Sequence, residues 1–173
     1  MMETNALKSL NQKQQDPKAD RTQAQPPKPS AGHRRLDVFV GKWNGKGENK
    51  EGAPVLAGAP VTTKELYEWL SGKFFLIHYG EMHFVDQELN AIRIIGYDEL
   101  NHQYSMDCFD STGFYRRYLG TVNEDSWKFT GESERVEITI KDNGNTMIVH
   151  WEIKTDGLNW LPLCEFRAFK ESD

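Results

Sequence analysis

Cysteine is scarce in this sequence. The 173 residues include two, Cys108 and Cys164, which provide neither a metal-ligand spacing nor a disulfide framework. Long apolar runs are missing as well: no segment approaches the ~20 residues of a membrane-spanning helix, and the N-terminus has no apolar core of the signal-peptide kind. Met2 stands where N-myristoylation requires glycine. There is no surplus of positive charge either. The net charge is −5 and the isoelectric point about 5.6, so the chain as a whole has no electrostatic reason to seek nucleic acid or an anionic membrane. These absences lead to the expectation of a cytoplasmic protein with no membrane span and no nucleic-acid partner.

What is present divides in two. Residues 1–32 are rich in Gln, Lys, Asp and Pro and hold almost nothing apolar to offset the entropy of ordering. They are expected to form a disordered polar tail of charge +2, which leaves −7 on residues 33–173. From His33 the pattern changes. Leu36, Phe39 and Val40 fall at helical spacing just before Gly41 and predict one or two helical turns. Beyond them the sequence reads as about ten short strands separated by turn residues such as Ser71-Gly72, Ser111-Thr112-Gly113 and Asp142-Asn143-Gly144. No long amphipathic helix interrupts them. An up-and-down antiparallel meander that closes on itself removes its exposed edges, and a β-sandwich is the alternative architecture.

Gly41-Lys42-Trp43-Asn44-Gly45-Lys46-Gly47 opens this run. In an extended strand Trp43, Gly45 and Gly47 share one face, and glycine inside a strand marks a bend or a close backbone approach. The segment therefore reads as the first barrel strand with Trp43 plugging one end. Gly-Lys here lacks the following Ser or Thr of a phosphate-binding loop. Together with Tyr67-Glu68-Trp69-Leu70-Ser71-Gly72-Lys73-Phe74, Ile95-Gly96-Tyr97-Asp98 and Phe109-Asp110-Ser111-Thr112-Gly113, this segment resembles the bacterial domain-of-unknown-function family 1579 over roughly residues 33–170. The resemblance implies a calycin-like all-β barrel, related distantly to lipocalins, fatty-acid-binding proteins and haem-binding nitrobindins, with an internal pocket and no established reaction.

Counting outward from the turns assigns the pocket. A two-residue turn at Ser71-Gly72 would pair Trp69 with Phe74, Tyr67 with Leu76 and Glu65 with His78, all facing inward. Around Ser111-Thr112-Gly113, Cys108 would oppose Arg116, Met106 would oppose Tyr118, and Tyr104 would lie near Gly120, while Asp107 and Arg117 pair on the outer face. A slip of one residue would turn every side chain over. Val136, Ile138 and Ile140, and then Met147, Val149, Trp151 and Ile153, form later inward faces, with Trp127, Trp151 and Trp160 as core aromatics.

Candidate ligand-binding residues are therefore Trp43, Tyr67, Trp69, Leu76, His78, Tyr104, Met106, Cys108, Arg116, Tyr118 and Trp151. Within this set Arg116, with Tyr118 and Tyr104, could hold a carboxylate. Glu65 with His78 is the smallest arrangement able to act as a general base, without an assignable nucleophile or oxyanion donor. Glu65 is the one interior carboxylate the register supplies, too few for glycosidase chemistry. No metal site is expected, and no cofactor: a haem needs an imidazole ligand, and on the late strand where a nitrobindin-like ligand would be sought, inward Trp151 turns His150 out. The expected function is binding of a small hydrophobic or amphipathic molecule with an acidic or polar end. The alternatives are an enzyme using His78 and Glu65, a haem-binding nitrobindin-like protein, or an interaction module. A homodimer would have to use a surface face, because a closed barrel has no free strand edge.

Overall fold

The computed structural model describes residues 27–53 and 57–172. A single α-helical turn, α1 (Ala31–Arg34), runs into a 3₁₀ segment, Arg35–Phe39, followed by ten strands. These are β1 (Gly41–Asn49), β2 (Pro60–Trp69), β3 (Phe75–Phe84), β4 (Gln87–Asp98), β5 (Gln103–Asp110), β6 (Tyr115–Asn123), β7 (Ser126–Thr130), β8 (Glu134–Lys141), β9 (Thr146–Lys154) and β10 (Trp160–Lys170). Each strand pairs antiparallel with its sequence neighbour, and β1 pairs with β10 to close the barrel. Most of the predicted polar tail lies outside the described residues, and its last two residues, Ala31 and Gly32, open the helix.

The barrel is solid at one end and open at the other. At the floor, α1 and the 3₁₀ segment place Leu36 and Phe39 inside, where they meet Trp43, Leu76, Tyr104, Trp127 and Phe129 in one buried cluster. Trp43 satisfies its buried indole N–H by donating to the Phe39 carbonyl at 2.7 Å, so the ring that plugs the floor also ties the helix to β1. Gly47 explains the glycine-rich face of β1: a Cβ there would run into the Glu165 carbonyl and Phe166 on β10. The close approach inferred from the sequence is thus a strand–strand contact in the barrel wall.

Two hairpins show how far turn chemistry fixes register. β5 and β6 pair as expected, Cys108 with Arg116 and Met106 with Tyr118, with Asp107 opposite Arg117 outside. The β2–β3 pairing differs from expectation by two residues: Trp69 opposes Leu76, Tyr67 opposes His78, and Glu65 opposes Gly80. The cause is a wider turn, in which both Gly72 and Lys73 adopt positive φ and the Leu70 N–H donates to the Phe75 carbonyl at 2.9 Å. Phe74 is released from the ladder and meets the His33 ring edge-on at 5.2 Å. Because the slip is even, inside and outside are preserved. Trp160 is a further correction. It sits half-buried between Arg135 and Lys154, whose cations lie 4.5 and 4.4 Å from its ring centre, because a bulge between Pro162 and Cys164 shifts the face of β10.

Candidate functional site

The open half of the barrel holds two adjoining spaces. An outer cavity of about 290 Å³ is lined by the mouth-side ends of β1, β3 to β6 and β8 to β10. A smaller inner space of about 40 Å³ reaches toward Glu65, Tyr67 and His78. Met82, Leu89, Ala91, Arg93 and Trp151 border both. The volume stands at the low end of the ~300–1,000 Å³ usual for small-molecule sites.

Glu65, His78 and Arg93 form a polar chain across β2, β3 and β4, over the bare backbone of Gly80. A Cβ at Gly80 would lie 3.0 Å from Glu65 Oε2, 3.1 Å from Arg93 Nη1 and 3.2 Å from His78 Nε2. His78 Nε2 donates to Glu65 Oε2, and His78 Nδ1 accepts from Arg93 Nη1 at 3.2 Å. This pattern needs a neutral imidazole. Burial pushes the His78 pKa down, and the Arg93 cation acts in the same direction against the opposing pull of Glu65. Tyr67 stacks on His78, with ring centres 4.0 Å apart and planes within 5°, and burial followed by the Glu65 charge drives its hydroxyl pKa up. With both nitrogens engaged, His78 keeps none free to take a proton from a substrate. It positions Arg93 and links it to Glu65.

Arg93 differs from every other interior charge. Among the described residues it has no carboxylate within 4.0 Å, and its Nε is buried without a hydrogen-bond partner. It lies 5.6 Å from the centre of the Trp151 ring. Asn49, also on the cavity wall, carries a second unpartnered buried donor, Nδ2.

Arg116, the arginine singled out from the sequence, is by contrast already neutralised at the rim. Its Nη1 donates to Asp110 Oδ2 at 2.5 Å, its Nε lies 3.4 Å from Glu134 Oε2, and its guanidinium covers the Phe114 ring at 4.8 Å. The Tyr118 hydroxyl donates to Glu134 at 2.7 Å; burial, then Glu134, raises its pKa. Burial opposes ionisation of Asp110, but hydrogen bonds from Thr112 and Arg116 hold its carboxyl below the ordinary range. Asp110 and Glu134 are also cavity carboxylates that the register count omitted. Cys164 faces the same cavity, its thiol pushed up to about 12 by burial.

Of the residues proposed from sequence, Tyr67, His78, Met106 and Glu65 border the inner space; Cys108, Arg116 and Tyr118 border the outer; Trp151 borders both. Trp43, Trp69, Leu76 and Tyr104 border neither. Trp43, Leu76 and Tyr104 belong to the solid floor, and Trp69 donates its indole N–H to Asp37 at 2.7 Å. Glu65 meets His78 diagonally rather than face to face. Arg93 was not found from sequence. The signal that would have found it is the tight Val85-Asp86 turn, which pairs Phe84 with Gln87 and so brings His78 opposite Arg93. His150 is exposed on the outer face, 3.4 Å from Glu165. Among the described residues no three His, Cys, Asp or Glu side chains are placed to hold a metal, and no helix is long and apolar enough to cross a membrane.

Fold and site together define an antiparallel ten-stranded barrel with a cavity open at one end. The chain belongs to the family described as "Protein of unknown function (DUF1579)", which matches residues 28–158. No curated protein matches it. Among solved structures, Rv2717c from M. tuberculosis is similar in fold, with a TM-score of 0.62 at 12% identity over 83% of this chain and 99% of that one. The S-type phycobiliprotein lyase CPES from Guillardia theta superposes with a TM-score of 0.49 at 7% identity, covering 81% of this chain and 92% of that one.

Proposed function

We propose that this barrel binds a small, largely apolar molecule through an acidic end held by Arg93. One observation carries the reading. Each inward-facing cavity carboxylate already has a donor, Glu65 from His78 and both Asp110 and Glu134 from the Arg116–Tyr118 group, whereas Arg93 bonds only to a neutral imidazole and feels the Glu65 charge through space. An arginine in an apolar enclosure is costly without an anion. A carboxylate from a ligand would supply that anion and could accept from the guanidinium in bidentate fashion. Asn49 Nδ2 offers a further donor, and the apolar walls, Met82, Phe84, Leu89 and Ile153 among them, would take the remainder of the molecule.

Native mass spectrometry of the freshly purified protein with a panel of medium-chain and aromatic carboxylic acids tests this. A one-to-one adduct with at least one acid is expected. A chain that neither retains a copurified molecule nor takes up any acid of the panel contradicts the proposal.

A further inference from the structure

The outer wall of the barrel is not uniform. Of the thirteen large hydrophobic side chains exposed among the described residues, eight lie on the outward face between the end of β2 and β6. The ladder register aligns them. Tyr79, Ile92, Phe109 and Tyr115 form one row across four neighbouring strands, with the Phe109 and Tyr115 rings stacked at 5.1 Å. Ile94 stands two residues along β4, and Phe75 and Leu119 two further along β3 and β6. Strand spacing and rise make this patch about 20 Å by 14 Å. At roughly half exposure its four rings alone present about 400 Å². The aliphatic side chains bring it to the top of the ~300–600 Å² found for the largest patch on a monomer and toward the ~800 Å² per partner of a standard interface. The opposite half of the wall shows Phe169 alone among its strands.

We infer that this face is the interface of a homodimer. Its charge pattern selects the occupant. Asp107 and Arg117, within the patch, neutralise each other through two hydrogen bonds of 2.9 Å, and the Tyr115 hydroxyl donates to Asp107 at 2.7 Å. The centre of the face thus presents no unpaired charge to attract a basic or acidic partner. Two copies of a chain of net charge −5 can meet there without like charges opposing at the centre of the contact. A two-fold interface needs a self-complementary patch, and a neutral apolar area rimmed by polar side chains such as Lys64, Glu81 and Asn90 has that character. With all strand edges used in barrel closure, pairing must occur face to face. The patch points away from the cavity, so this inference is independent of ligand binding.

Sedimentation velocity of the full chain between about 1 and 100 µM is the test. The native chain is expected to sediment as a dimer of the 20.0 kDa chain. Phe109→Glu and Ile94→Glu, each outward and introducing an unpaired acid, are expected to weaken the dimer at least 100-fold while far-UV circular dichroism stays unchanged. Phe169→Glu, on the opposite wall, is expected to leave the dimer intact. A native chain that is monomeric throughout the range, or face variants that remain as dimeric as the native chain, overturns the inference. So does a monomer that co-floats with neutral phosphatidylcholine vesicles, which would assign the face to a bilayer instead.

Discussion

Arg93 carries a charge that titration cannot remove, so the surroundings must accommodate it or a ligand must meet it. Charge-assisted hydrogen bonds contribute about 1.5–3 kcal/mol, so Arg93→Met is expected to weaken binding of a lipophilic acid by roughly 10- to 150-fold. The barrel should survive, since the methionine stem replaces the apolar part of the side chain; isothermal titration with octanoate, alongside a thermal melt, checks both. His78 makes a separate pH prediction. Its folded pKa lies below the ordinary 6.5, so on acidification the unfolded chain takes up the proton first. The neutral imidazole's contribution is complete above pH 6.5 and is lost as pH falls below it. The melting temperature should therefore decline between pH 6.5 and 5, above the range where the depressed carboxylates Asp110 and Glu152 begin to protonate. His78→Gln should flatten that decline; an unchanged slope would show that His78 is not its source.

At the scale of the strand, legibility depended on turns and on which face is richer in apolar residues. The Asp110–Phe114 turn gave the correct β5–β6 register because Asp110 caps it, accepting from Thr112 N–H at 2.9 Å and Phe114 N–H at 3.2 Å, and Gly113 supplies the positive φ. In the β2–β3 turn, Lys73 also takes positive φ, a conformation its residue type does not announce, and the pairing moved by two. Strand β4 reverses the usual alternation: an apolar-inside reading would select Ile92 and Ile94 and turn Arg93 out, whereas both isoleucines are exposed and Arg93 faces the cavity. Here the partner strands override the local pattern. The position of Gly47 gives a prediction at the same scale. Gly47→Ala must push β1 from β10 and is expected to cost about 1–3 kcal/mol, seen as a melting temperature lower by several degrees; an unchanged melt would contradict the close approach.

For the whole molecule, the division between a filled floor and an open mouth governs both stability and function. Trp43 and Trp127 belong to the floor, while Trp151 borders both cavity spaces. A bound acid should alter the fluorescence of Trp151 and leave the other two largely unaffected, so Trp151→Phe is expected to abolish most of the ligand-dependent signal. The barrel order, the floor helix and most of the inward set could be read from the sequence, because they follow from alternation and turn spacing. The anchoring arginine could not, because it depends on three strands meeting over Gly80. The most direct test compares octanoate with its methyl ester, titrated calorimetrically into the native protein and into Arg93→Met. The account predicts that the native protein binds the acid at least tenfold more tightly than the ester and that Arg93→Met erases the difference; equal binding of acid and ester by the native protein would contradict it.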